Sequence, residues 1–142
     1  MIAAIQDQSS GIRWYNGSSV ATGATATALG TGSANTDAII AVQGAAETSY
    51  AAGLARAYNG GGFTDWFLPS KDELNQMYTN KATINTTASA NGGSDFSTST
   101  LDYYWSSTEH NYEYAWLQHF DDGIQIRGIK NFAFNVRAVR AF

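Results

Sequence analysis

Apolar and polar residues alternate in Ile12-Arg13-Trp14-Tyr15, and Asn16-Gly17 follows. That alternation predicts a short strand closed by a hairpin turn, because Asn-Gly readily supplies the positive φ such turns need. Ala, Thr, Gly and Ser dominate from Ser18 to Ser33, which predicts a loop or a loosely paired edge. Asn35 or Thr36 can cap a helix with Asp37 in its first turn, and Ile39, Ile40, Tyr50, Leu54 and Tyr58 supply its large apolar side chains. Gly44 and Ser49 divide this region into two short helices, and Asn59-Gly60-Gly61-Gly62 ends the second. Ser70-Lys71-Asp72-Glu73 has the S-x-x-E form of a capping box, with Pro69 before it and Leu74, Met77 and Tyr78 at helical spacing after it.

Thr83 to Thr100 is again rich in Thr, Ser, Ala, Asn and Gly, and the pattern predicts a long polar connection. Beyond it the texture changes to aromatic and β-branched runs. Tyr103 to Ser107, Tyr114 to Phe120, Ile124 to Ile129 and Phe134 to Phe142 read as strands, with Asp122-Gly123 joining the middle pair. Short helices in the N-terminal half and an antiparallel sheet in the C-terminal half make an α+β chain. At 142 residues one domain, 1-142, with one core is expected.

With Asp122-Gly123 as a two-residue loop, Asp121 would pair with Ile124, His119 with Ile126 and Leu117 with Gly128. Period-two alternation puts these six on one face. Trp116, Gln118, Phe120, Gln125, Arg127 and Ile129 share the other. Neither set is cleanly apolar, so periodicity alone leaves open which face is buried.

Composition narrows the function. The chain is 44% hydrophobic and 14% charged, a globular balance. Its net charge of −4 offers no field for phosphate backbones or anionic lipid, so neither nucleic acid nor membrane insertion is expected. Cysteine is absent, which removes disulfides, thiolate nucleophiles and Cys-based zinc. The opening Met-Ile-Ala-Ala-Ile-Gln-Asp lacks the charged and apolar regions of a signal peptide. Any placement at a cell or virion surface would be directed from outside this chain.

The catalytic inventory is thin. His110 and His119 lie among Glu113, Asp121 and Asp122, without the spacing of a zinc motif. Leu29-Gly30-Thr31-Gly32 lacks the third glycine of a dinucleotide loop, and neither a G-x-S-x-G elbow nor a phosphate-binding loop occurs. No cofactor and no metal are expected, and a non-catalytic domain is. Trp66 and Trp105 each bury a large ring and need one partner for the indole N–H. Arg137 and Arg140, in an apolar closing strand, are candidate partners for Asp65 or Glu109.

Several segments together resemble a known family, the Lcl C-terminal-domain-like domains of the C-type lectin fold. They are Asn35-Thr36 with Ile39 and Gln43-Gly44, then Asp65 to Leu74, then Tyr104-Trp105-Ser106-Ser107-Thr108-Glu109. Ala115-Trp116, Phe120, Gly123, Lys130 and Val136 to Arg140 complete the set. The closing Val-Arg-Ala-Val-Arg-Ala-Phe also looks like the end of proteins diversified by retroelements. That resemblance implies a ligand surface within 103–142, in which adenine-directed mutation of AAY codons reaches many residues but never Trp, Gln, Glu, Lys or Met. Leu117, His119, Asp121, Ile124, Ile126 and Gly128 are all reachable, as are His110, Asn111, Tyr112, Tyr114 and Asn131. Glu113 departs from the rule.

The resemblance makes these eleven the candidate ligand-binding residues, with Trp66, Trp105, Trp116, Phe120, Arg137 and Arg140 as framework. The implied partner is a protein or glycan on a target cell surface, reached from a phage tail tip or as a bacterial adhesin. Enzymes sharing the fold depend on cysteine, and calcium-dependent lectins carry a Trp-Asn-Asp motif; this sequence has neither. An assembly domain of a surface or virion protein is the alternative, and a hydrolase with a carboxylate pair is a third reading.

Overall fold

The computed structural model describes residues 1–141; Phe142, expected to close the last strand, lies outside the described residues. β1 (Ile2–Ala3) and β2 (Ser9–Ile12) lead into α1 (Gly32–Gln43), a 3-10 turn at Glu47–Ser49 and α2 (Ala51–Ala57). α3 (Lys71–Thr79) and α4 (Lys81–Ala90) precede β3 (Tyr103–Glu109), β4 (Tyr114–His119), β5 (Gln125–Ile129), β6 (Phe134–Val136) and β7 (Val139–Arg140). Two short strands, then the helices, then five strands give an α+β architecture, with the helices in the N-terminal half and most of the sheet in the C-terminal half. None of the described helices is long and apolar enough to cross a membrane.

The capping box forms as expected: Ser70 Oγ accepts the Glu73 N–H and Glu73 Oε2 accepts the Ser70 N–H. Gly44 ends α1. Other expectations are corrected. α1 begins at Gly32, with Thr31 at the N-cap position but no side-chain cap, so Asn35 and Thr36 lie inside it. Their buried side chains tie elements together instead. Asn35 Nδ2 donates to Ala26 O at 2.7 Å, and Thr36 Oγ1 accepts the Leu68 N–H at 3.1 Å.

The first strand sits earlier than expected, at Ser9–Ile12, and Asn16-Gly17 joins no hairpin. The chain leaves the sheet because Trp14 turns inward, fully buried, with its indole N–H donating to Ser106 O at 2.8 Å. Asn16 is then held by Gln43, through bonds of 2.9 and 2.6 Å. Within the expected polar connection, Lys81–Ala90 is a helix. It buries Ala88 and packs Ile84 partly against the core, too small an apolar stripe for periodicity to reveal.

The main sheet runs β2-β6-β3-β4-β5, and β1 pairs with β7 apart from it. The pairing of β3 with β6, Tyr104 opposite Asn135, is parallel; the other pairings are antiparallel. β6 and β7 are separated because Arg137 dives inward. It donates to Asp7 at 2.6 Å and to the carbonyls of Ser94 and Asp95 at 3.0 and 3.2 Å.

Instead of one core there are two clusters. Trp14, Ile39, Tyr50, Leu68, Trp105, Leu117 and Val136 belong to the first; Phe67, Leu74, Met77, Phe96, Tyr104 and Phe120 belong to the second. Tyr104 and Trp105 point to opposite faces by strand alternation, so the sheet stands between the two clusters.

Candidate functional site: two sides of the β4–β5 hairpin

Leu117 faces Ile126 and Ala115 faces Gly128, a register shifted by two residues from the expected pairing. The connection is four residues, Phe120 to Gly123, closed by Gly123 N–H to His119 O and His119 N–H to Ile124 O, both at 2.9 Å. Phe120 is needed in the second core, fully buried, and Gly123 takes φ 82°, where glycine is favoured. A shift of two preserves the alternation, so the expected grouping of side chains by face survives.

On the first face, centroid distances link a row of rings. His119 lies 5.0 Å from Tyr103, Tyr103 5.4 Å from Phe134, and Phe134 5.9 Å from Phe132. Trp105 meets Phe134 at 5.1 Å and donates its indole N–H to Ile12 O. Ile124 and Ile126 belong to the same face and are 54% and 40% exposed; Phe132 is 48% exposed. Isolated apolar side chains on a surface need no explanation, but a set of this size on one sheet face does.

The expected display holds for only part of the set. Ile124, Ile126 and Asp121 are exposed, Asp121 within the turn. Leu117 is buried at 1% and Gly128 is buried beside it, because both sit over Trp105 in the first core. The His119 side chain is only 8% exposed. Its Nδ1 lies 2.9 Å from Asp122 Oδ1 and its Nε2 3.0 Å from Ser99 O. Both ring nitrogens thus meet acceptors, which the imidazolium alone satisfies fully. Burial opposes that charge, yet the Asp122 and Ser99 bonds and the charges of Asp122 and Asp121 hold the His119 pKa above its ordinary value.

The other candidates gather elsewhere. His110, Asn111 and Tyr114, at the β3–β4 turn, line a pocket of about 330 Å³ with Arg127. Tyr112 is exposed in that turn, and Asn131 is exposed beyond β5. Arg127 Nη1 is 2.9 Å from His110 Nε2, and His110 meets Trp116 edge-on at 6.0 Å. Trp116 is half-buried, with Lys71 Nζ 3.8 Å from its ring centroid and Arg127 Cζ 5.9 Å from it.

Sequence reasoning did not select Tyr103, Phe132, Phe134, Arg127 or Lys71. Phe132, in the bend between β5 and β6, meets the Phe134 ring two residues on, and that spacing was the available signal; Lys71 reaches Trp116 only through tertiary structure. The framework residues Trp66, Trp105, Phe120 and Arg137 are buried. Arg140 clasps Asp65 through bonds of 2.7 and 2.9 Å, as one of the expected pairings had it. Glu109 takes Lys130, not an arginine, in a buried pair at 2.5 Å. It also accepts the N–H groups of Thr22 and Gly23, which pins the Ser18 to Ser33 loop against the sheet.

His110 and His119 fall at opposite ends of β4. Among the described residues no three His, Asp or Glu side chains converge on a metal position. No curated protein matches the chain. Residues 3–140 match the Lcl C-terminal domain, and the chain belongs to that lectin-like family.

Proposed function

We propose that this chain is a non-catalytic ligand-binding domain, and that it binds a protein or glycan of a target cell surface through the exposed part of the β4–β5 hairpin and its aromatic neighbours. The observation that carries this reading is the exposure of Ile124, Ile126 and Phe132 along the row His119, Tyr103, Phe134 and Phe132. Aromatic and aliphatic side chains on a rigid sheet supply contact area at little entropic cost, and adjacent polar groups orient the ligand. A diversified role at a phage tail tip or bacterial surface is supported by the codon-reachable residues left exposed, His110, Asn111, Tyr112, Asp121, Ile124, Ile126 and Asn131, with half-buried Tyr114 beside them; buried Leu117, His119 and Gly128 do not add to it.

The experiment is surface display of the domain, with single substitutions at Ile124, Ile126 and Phe132, panned against candidate host cells. Loss of cell binding by folded variants supports the reading. Undiminished binding by all three contradicts it. Self-association abolished by the same substitutions, without any cell binding, would instead favour an assembly domain.

A further inference from the structure

Lys71 and Arg127 stand apart from the other six cationic side chains. Arg56, Lys130, Arg137 and Arg140 each have a carboxylate partner. Arg13 and Lys81 donate to carbonyls of Asn16 and Phe120. Among the described residues, the heads of Lys71 and Arg127 reach no protein oxygen, and both flank the Trp116 ring. The remaining polar groups of the pocket lean the same way. Asn111 Oδ1 is occupied by the N–H groups of Glu113 and Tyr114, which leaves its amide N–H₂ free to donate. His110 Nε2 accepts from Arg127, so Nδ1 carries the proton. Tyr114 adds a hydroxyl. A pocket of free donors with Arg127 in its lining and Lys71 nearby on the Trp116 ring, in a chain of net charge −4, suits an oxyanion.

The pocket also lies on an edge. β5 is the last strand of its sheet, so one row of its backbone groups has no strand partner. Adjacent residues of β5 point to opposite faces: Ile126 to the exposed apolar side, Arg127 to the pocket beside Trp116. An extended polypeptide added along β5 would likewise alternate its side chains.

We propose that the β5 edge takes an extended protein segment in which acidic and apolar residues alternate, its carboxylate entering the His110, Asn111, Tyr114 and Arg127 pocket. The choice of a protein ligand deepens the reading above and rests on it; the oxyanion pocket does not.

The probe is the peptide Glu-Val-Glu-Val-Glu, titrated into ¹⁵N-labelled protein while the four indole N–H signals are followed. The Trp116 signal is expected to shift, and Gln-Val-Gln-Val-Gln, Arg127→Gln and Lys71→Gln are each expected to weaken binding about tenfold or more. Unchanged signals of Trp14, Trp66 and Trp105 report that the variants are folded. If neither peptide shifts Trp116, or the variants bind as tightly as the parent, the proposal is overturned. If trigalacturonate binds at Trp116 and the acidic peptide does not, the ligand is a glycan and the protein assignment falls. Glu47→Gln, exposed in the 3-10 turn and outside both the pocket and the hairpin, should leave the peptide titration unchanged; the titration reads the pocket alone, so a failed cell-binding assay and a failed pocket remain distinguishable.

Discussion

A side chain added at Gly128 would place its Cβ 2.5 Å from Leu117 Cδ2 and 3.5 Å from the Phe134 and Trp105 rings. Gly128→Asn should therefore cost about 1–3 kcal/mol, as overpacking does, with a matching fall in the chemical-denaturation midpoint. Ile126→Asn, two residues away and exposed, should stay within about 0.5 kcal/mol. Equal costs would mean that Gly128 is not packed as described. Trp105→Ala, which empties the ring's place beside Gly128 and Leu117, should cost about 3–5 kcal/mol.

His119 makes stability depend on pH in a stated direction. Its pKa is raised in the folded state, so its contribution is fully present below the unfolded value of about 6.5. It is lost as pH rises through the raised folded value. Between pH 5 and pH 9 the parent should lose more thermal stability than His119→Gln. Parallel profiles would show that the Asp122 and Ser99 contacts do not favour the imidazolium.

The elements differ in how openly the sequence announces them. α3 was readable because the Ser70 and Glu73 side chains each accept the other's backbone N–H, a purely local exchange. β3 to β5 were readable because aromatic and β-branched runs need little context to be recognised. α1 misled because Asn35 and Thr36, good capping residues, spend their hydrogen bonds on Ala26 and Leu68. The hairpin register was off by two because the demand of the second core for Phe120 is a tertiary fact.

The Ser18 to Ser33 loop has the least local signal, and its anchor is remote. Glu109 and Lys130 are 2% and 1% exposed in their side chains, and burial pulls the Lys130 pKa down while Glu109 opposes that shift. Removing one partner of a buried pair leaves the other uncompensated, so Lys130→Met should cost about 3–5 kcal/mol. Hydrogen exchange at Thr22 and Gly23, whose N–H groups bind Glu109, should rise in that variant. Unchanged protection there would show that the pair does not hold the loop.

At the scale of the whole molecule, the sheet divides two cores and leaves its β5 side uncovered. The candidate surface lies where the framework stops: Trp105 and Leu117 are buried, while Ile124 and Ile126 are exposed beside them. Fold class, the late sheet and the grouping of side chains by face were legible in the sequence. Depth within a face was not, since alternation assigns a side but not how much of it another element covers.

Rigid core and exposed surface meet on this face, and substitutions can separate the two. A substitution scan over Leu117, His119, Ile124, Ile126, Gly128 and Phe132 would read folding stability and cell binding separately in each variant. Ile124, Ile126 and Phe132 should lose more than about 1 kcal/mol of binding with stability changed by less than about 0.5 kcal/mol, while Leu117 and Gly128 lose stability first. Severe unfolding at Ile124 and Ile126, or full binding by folded variants at all three exposed positions, would contradict the account.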